Sequence, residues 1–353
     1  MCAEALLSGL WYFACPSRDI RRGALKRRIF WSEPVALGRT QAGDVFALRD
    51  VCPHRAAPLS EGRIVEDKEG GLLVECPYHG WRFRAGDGAC ASIPALHSES
   101  DFDPAPIAVK RYSLHEENGL IWIFRPEALG CPNAPAPSPP STGLSPSFRP
   151  RIVTLAQAEG PYDEAVVGLV DPAHTPFVHR QWWWREGAGL KDKVKAFEPT
   201  ALGFKMSAHR PSDNSRIYKM LGGATTTEIE FRLPGVRLET IRVGKRTILG
   251  LTAITPEDGA RARITHMIFW DMTVLSVLQP ILARMSASFL SQDAAILRAQ
   301  NKNLSRMKTT PLYVGDPDEP AKWYYRLKRA WVERPPSGAF VNPLAPAALR
   351  WRT

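Results

Sequence analysis

Cys52-Pro53-His54-Arg55 and, further along, Cys76-Pro77-Tyr78-His79-Gly80-Trp81 are the stretches whose reading decides this chain. Each carries one thiol and one imidazole, and in each the Cys is followed by Pro. Between them lies Glu66-Asp67-Lys68-Glu69-Gly70-Gly71, a polar, Gly-ended run that suits the tip of a hairpin. One pair of donors therefore stands on each side of that hairpin. Working outward, short apolar runs broken by Gly and Pro predict strands at Ile29–Trp31, Val45–Leu48, Leu72–Val74, Ile107–Val109 and Leu120–Phe124. That is the pattern of a small all-β unit.

Two Cys and two His can hold zinc tetrahedrally. They can also hold a Rieske [2Fe–2S] centre, in which two Cys bind one iron and two His bind the other. Here each pair is mixed, one Cys with one His, and Pro53, Pro77, Gly80 and Trp81 flank the donors in the manner of cluster-binding loops. Ligand type and arrangement favour the cluster over zinc. Neutral imidazole in place of charged thiolate raises the reduction potential, so the expected chemistry is one-electron transfer.

The chain has 353 residues, which suggests two domains. No apolar run reaches the roughly 18 residues of a spanning helix, and no membrane partner is expected. Ala5–Cys15 is apolar but short, and its basic residues follow rather than precede it, unlike a signal peptide. With Cys52 and Cys76 assigned to iron, Cys2, Cys15, Cys90 and Cys131 form no recognisable disulfide framework, so a reducing cytoplasm is expected. The net charge of +10 is spread along the chain rather than gathered in a stripe, which argues against nucleic acid. Lys26, Arg27 and Arg28 read as a solvated turn. A basic surface also suits docking of an acidic electron carrier.

Eight prolines fall between Pro126 and Pro150, marking a semi-rigid linker. The expected domains are thus 1–125, a linker at 126–150, and 151–353. The second domain is expected to open with a helical stretch. Strands follow at Thr227–Leu233, Leu238–Val243, Thr247–Ile254 and Arg261–Trp270, with a Pro/Gly turn at Thr255-Pro-Glu-Asp-Gly259. A long helix is predicted from Pro280 towards Ser305, with Pro in its first turn.

This second domain carries another set of candidate donors, in Asp171-Pro-Ala-His174-Thr-Pro-Phe-Val-His179. On the long helix, Leu278, Ile281, Leu282, Met285, Phe289, Ile296 and Leu297 form an apolar stripe that also contains Asp293. A carboxylate facing a core is costly unless paired or metal-bound. His174, His179 and Asp293 would together make the two-histidine, one-carboxylate triad of non-haem Fe(II) oxygenases, which leaves positions open for O₂. The alternatives are an Asp171 helix cap ahead of Pro172, and an Asp293 paired with Arg284 or Arg298. His97, His115, His209 and His266 read as surface or internally satisfied histidines. Trp182, Trp183 and Trp184 read equally as core or as pocket.

Taken with C-x-H, C-x-x-H, D-x-x-H-x-x-x-x-H and the later Gln292-Asp293, nearly the whole chain from Trp11-Tyr12 onward resembles the terminal oxygenase subunits of Rieske non-haem iron oxygenases. It is most similar to the demethylase-like and pheophorbide-oxygenase-like groups. The resemblance implies an α+β chain: an N-terminal all-β Rieske domain, then a helix-grip antiparallel sheet with helices. It implies Cys52, His54, Cys76 and His79 at the cluster, and His174, His179 and Asp293 at a mononuclear Fe(II). Asp171 would be the electron bridge to the neighbouring subunit of a head-to-tail homotrimer. Gly168 stands where many members have Asn, so any role of that Asn is open here.

The function implied is that of an oxygenase component fed by a ferredoxin or flavin reductase from NAD(P)H, using O₂ to hydroxylate or demethylate an aromatic or planar apolar molecule. Eleven Trp residues fit such a substrate. The competing readings are a ring cis-dihydroxylating dioxygenase, a Rieske electron carrier with a ligand-binding second domain, and a binding protein without catalysis.

Overall fold

A computed structural model describes residues 6–67, 70–127, 137–179, 181, 190–210, 225–307, 310–335 and 339–353. Two compact units result, one of residues 13–125 and one of residues 1–12 with 126–353. Trp182, Trp183 and Trp184 lie outside the described residues, as do Cys2 and Cys131.

The smaller unit is all β. Its strands are β1 (Leu10–Pro16), β2 (Leu25–Phe30), β3 (Glu33–Arg39), β4 (Val45–Arg49), β5 (Arg63–Glu66), β6 (Leu72–Glu75), β7 (Arg82–Arg84), β8 (Cys90–Ser92), β9 (Leu114–Glu117) and β10 (Leu120–Arg125). They form sheets of order β1-β10-β9, β2-β3-β4 and β5-β6-β7-β8. Asn118 and Gly119, both at positive φ, turn β9 into β10, where Glu117 faces Leu120. Such a two-residue turn matches the twist of its strands. The predicted strand at Ile107–Val109 is reduced to a single bridge from Ala108 to Ala89, because Pro104 and Pro106 just before it interrupt the extended ladder. Lys26, Arg27 and Arg28 are not a turn. They lie on β2 and pair with Asp19, Asp50 and Asp19 respectively.

The larger unit holds one antiparallel sheet of eight strands. These are β11 (Ile152–Glu159), β12 (Asp192–Thr200), β13 (Gly203–His209), β14 (Thr225–Arg232), β15 (Val236–Val243), β16 (Arg246–Pro256), β17 (Arg261–Trp270) and β18 (Ala347–Arg352), in the order β11-β17-β16-β15-β14-β13-β12-β18. The opening helical stretch is in fact strand β11 followed by helix α1 (Tyr162–Val170). Ile152, Val153 and Thr154 are β-branched and favour the pleat, and β11 pairs along its whole length with β17. The long helix Gln279–Met307 runs beside β11, where Ser286 and Thr154 hydroxyls meet at 2.7 Å.

Position of α1 is fixed by a buried ion pair. Lys328, on the helix Glu319–Glu333, donates to Asp163 at 2.5 Å, and Tyr324 donates to the same carboxylate. Aromatic residues Phe197, Phe204 and Phe231 of the sheet pack under Trp323 and Tyr324 of that helix. Residues 6–12 join this unit: the Trp331 indole donates to the Ser8 carbonyl and the Trp11 indole to the Pro137 carbonyl, both at 2.8 Å.

Candidate metal centres

The two Cys/His loops of the smaller unit share one backbone frame. The Cys52 N–H donates to the Ala57 carbonyl and the Ala56 N–H returns to the Cys52 carbonyl, both at 2.9 Å. In the second loop the Cys76 N–H donates to the Trp81 carbonyl at 2.8 Å and the Gly80 N–H returns to Cys76 at 3.1 Å. The residue four past each Cys is left-handed, Ala56 at φ 58 and Gly80 at φ 70. Each knuckle thus aims a thiol inward and lets its histidine stand beyond. The hairpin β5–β6 joins them, as the sequence predicts.

Both thiols are buried, among Leu59, Val74, Phe83 and Cys90. Burial, and then the adjacent Cys76, push the Cys52 thiol up to about 11, so the thiolate form calls for a compensating cation. His54 and His79 lie nearer the surface with ring centroids 4.5 Å apart, and Trp81 stacks on His54 at 4.7 Å. Thiols meet thiols and imidazoles meet imidazoles. Among the described residues, these four are not a group of donors gathered around a single ion. That arrangement suits two metal atoms better than one zinc.

Carboxylates brace the frame from behind. Asp50 is buried two residues before Cys52, accepts from the Ser60 N–H at 2.6 Å and hydroxyl at 2.7 Å, and pairs with Arg27 at 3.1 Å. Glu75 accepts from Arg63 and Arg82, each at 2.8 Å. Burial opposes ionisation there, but the two guanidinium groups prevail and hold the carboxyl below its usual range.

In the larger unit, α1 ends at Asp171 and a short helix α2 (Thr175–Val178) separates His174 from His179. Asp293, from the long helix, comes to 3.2 Å from His179 Nε2 and 3.8 Å from His174 Nε2. The donor atoms of all three lie within 4.8 Å of one another. His179 Nδ1 stands 3.1 Å from Gln292 Oε1. An amide oxygen only accepts, so the ring donates through Nδ1 here and turns Nε2 towards Asp293. Nε2 and the Asp293 carboxylate stand 3.2 Å apart, a spacing that a shared proton or a metal ion can bridge. Phe289 stacks on the His179 ring at 3.6 Å and fixes its plane.

Asp171 is the C-cap of α1, not the cap of a following helix. One of its oxygens accepts the Ala173 N–H at 2.6 Å, and the other stands 3.5 Å from His174 Nδ1. Of the two alternative partners for Asp293, Arg284 and Arg298, the second pairs instead with Glu159 at 2.8 Å. The helix stripe is not a core face. Ile281 and Ile296 are more than half exposed, while Leu282, Met285, Phe289 and Asp293 line a cavity of about 660 Å³.

That cavity lies against α1, the long helix and one face of the sheet, and the three donors form part of its wall. Most of the lining is apolar, with Ile229, Ile248, Ile268 and Trp270 from alternate positions of the strands. Polar exceptions were not legible as site residues. His266, read as an ordinary histidine, faces the cavity, meets the Thr252 hydroxyl at 2.8 Å, and is pushed by burial down to about 4. Arg237 pairs with Glu239 at 3.0 Å on the same floor, and Lys193 and Lys195 line it further out. The available signal was charge repeated at i and i+2 within a strand, which puts both groups on one face.

Comparison with known proteins agrees with this division. Residues 10–113 match the Rieske [2Fe-2S] domain, and residues 165–334 match the vanillate O-demethylase oxygenase C-terminal domain. The chain is 34% identical over 177 residues to the oxygenase component of dicamba O-demethylase from Stenotrophomonas maltophilia, covering 48% of this chain and 47% of that one. Against pheophorbide a oxygenase of Oryza sativa subsp. japonica it is 35% identical over 188 residues, 51% of this chain and 31% of the relative. The matched part thus spans half or less of these curated relatives. The crystal structure of dicamba monooxygenase bound to dicamba superposes with a TM-score of 0.69 at 22% identity, over 94% of this chain and 100% of the other. The two matched domains and the shared fold are those seen in Rieske oxygenases: a Rieske [2Fe-2S] domain followed by a vanillate O-demethylase-type oxygenase C-terminal domain. No helix among the described residues is long and apolar enough to cross a membrane.

Proposed function

We propose that this chain is a Rieske non-haem iron oxygenase, the terminal oxygenase of a multicomponent system, and that it hydroxylates or demethylates an apolar, planar organic molecule. One observation carries the reading: paired thiol and imidazole loops and a two-histidine, one-carboxylate set occur in the same chain, and the second set opens onto a cavity of about 660 Å³. An electron carrier has no use for that second set.

The residues fit the groups they would hold. Cys52 and Cys76 would bind one iron of the cluster, and His54 and His79 the other. His174, His179 and Asp293 would bind the mononuclear iron, their donor atoms lying within 4.8 Å of one another. When bound, the cluster supplies single electrons and the iron supplies the oxidation by O₂.

The chain's own work is positional. Gln292 and Phe289 hold the His179 ring so that Nε2 points to the centre. Among the described residues, Asp171 stands 3.5 Å from the otherwise unpartnered His174 Nδ1, placed to become the outer-sphere partner that fixes this ligand's tautomer and plane when iron is bound. The Ile-rich floor excludes water and presents apolar substrate to the open side. Near-surface His54 and His79, the latter beside the exposed Tyr78, suit electron arrival from a ferredoxin or flavin reductase that draws on NAD(P)H. The assembly we infer is a head-to-tail homotrimer in the cytoplasm, in which Asp171 of one chain approaches a cluster histidine of the next. The four described cysteines are free of disulfides, in keeping with that compartment.

The test is iron analysis followed by turnover. About three irons per chain are expected, two for the cluster and one for the triad. The protein is reduced without air, then exposed to O₂ with methoxylated, N-methylated and unsubstituted aromatics. Formaldehyde or a phenol is the expected product. A cis-diol would replace this reading with dioxygenation, and two irons without O₂ uptake would leave an electron carrier.

A further inference from the structure

The sheet face that floors the cavity is not uniformly apolar, and the exception lies far from the metal donors. Lys193 and Lys195 both stand on β12 two residues apart, so both side chains project from one face, and both line the cavity. Each is half-buried. Among the described residues no carboxylate reaches either one as an ion pair. Asp192, the acid next door, pairs with Arg352 at 3.1 Å, and Glu198 pairs with Lys205 at 3.4 Å. Glu239, the acid on the same floor, is engaged by Arg237 at 3.0 Å. Thr353, at the same end, is tied through its backbone to Lys191. Burial lowers both ammonium groups below their usual range, and for Lys193 the neighbouring Lys195 and Lys191 lower it further. Two half-buried like charges side by side are unfavourable unless an anion joins them.

We propose that Lys193 and Lys195 form an anion subsite at the outer end of the substrate cavity, and that the substrate is an acid: an apolar, planar or extended body carrying a carboxylate or sulfonate remote from the carbon that is oxidised. The proposal rests on the oxygenase reading for the identity of the cavity, not for its charge. Between His266 on β17, beside the metal donors, and Lys195 on β12 lie five strand steps. At about 4.8 Å per step that is roughly 24 Å along the curved floor. A single small ring cannot span it, so the acid body is large, with several fused rings or an extended chain. The middle of the floor offers Ile229, Ile241 and Ile248 to that body. Arg237 and Glu239 neutralise one another there and add no net charge.

Two dyes of matched body separate charge from apolarity: anilinonaphthalene sulfonate and neutral N-phenylnaphthylamine. Both are titrated by fluorescence into the iron-loaded protein. The wild type should bind the sulfonate more tightly, with a preference that falls as salt rises. In a Lys193→Gln/Lys195→Gln double variant the sulfonate should bind about tenfold or more weaker, the order of a charge-assisted contact, with the neutral dye unchanged. A Lys193→Arg/Lys195→Arg variant keeps the charge and should keep the preference. Equal affinity of the two dyes for the wild type overturns the subsite, and so does equal weakening of both in the double variant. Iron content distinguishes this failure from the other. A chain with about three irons and no anion preference loses the subsite alone. Anion preference in a chain with an empty triad loses the oxygenase reading alone.

Discussion

The two proposed metal centres are built in opposite ways. The cluster loops lie at Cys52–Ala57 and Cys76–Trp81, joined by one hairpin, and each loop closes on itself through two backbone hydrogen bonds. The proposed mononuclear site draws His174 and His179 from one segment and Asp293 from a helix more than a hundred residues later. A centre of the first kind is set by local turns and keeps its geometry as long as the loops form. A centre of the second kind depends on how helices are seated, here through the buried Asp163–Lys328 pair that fixes α1. The two should therefore fail independently and differently.

The largest expected effect breaks one centre at a time. Cys52→Ser should remove the cluster's visible and EPR signals while the triad retains its iron. Asp293→Ala should remove the triad iron and leave the cluster spectrum unchanged. Turnover is abolished in both. Loss of both metals from either variant, by iron analysis, would show that the centres are not independent.

Next in size is Asp171→Asn. Asn keeps the oxygen that accepts the Ala173 N–H at 2.6 Å, so the end of α1 survives. It exchanges the carboxylate near His174 Nδ1 for a neutral amide. Both metals should remain and turnover should fall on the order of tenfold to a hundredfold, as for other outer-sphere changes. In single turnover the reduced cluster should reoxidise slowly when substrate and O₂ are supplied. Normal reoxidation would reduce Asp171 to a cap.

The same contrast governs what the sequence discloses. Cys52, His54, Cys76 and His79 are legible because their spacing is itself the geometry: one knuckle frame serves both loops. Asp293 is legible only by its company, and that company was misread. Leu278, Ile281 and Ile296 look like a buried stripe, yet they are exposed, and Asp293 faces a cavity rather than a core. Helical spacing reports which residues share a face, not what covers it. Strand β11 was hidden because Arg151–Glu159 alternates weakly, its Ala and Gln positions carrying little hydrophobic contrast. His266, Arg237 and the two lysines of β12 come to one sheet face only once the six strands from β12 to β17 are paired, and no local pattern encodes that register.

A smaller effect sharpens the long-range side. Gln292→Leu removes the acceptor for His179 Nδ1 while keeping bulk on the helix. The freed ring can take either tautomer, so iron affinity should drop about tenfold. Metal-competition titration reads this directly, and the cluster should be indifferent. Unchanged affinity would mean that stacking by Phe289 alone orients the ring.

The smallest effect probes the two knuckles against each other. Both need a left-handed residue four past the Cys, but one supplies Ala56 and the other Gly80. A non-glycine residue there stores on the order of 1 kcal/mol or more of backbone strain. Ala56→Gly removes that strain but adds disorder to the unfolded chain, and since Ala at positive φ costs more than the entropy it saves, a net gain below about 1 kcal/mol is expected. Gly80→Ala runs the other way. It adds the strain and sets a new Cβ at 3.2 Å from the Pro94 ring, so a loss of about 1 kcal/mol or more follows. Denaturant titrations that follow the cluster's visible absorbance should show the midpoint rising for Ala56→Gly and falling for Gly80→Ala. Two shifts of the same sign would mean that the shared hydrogen-bond frame does not bear on the stability of the loops.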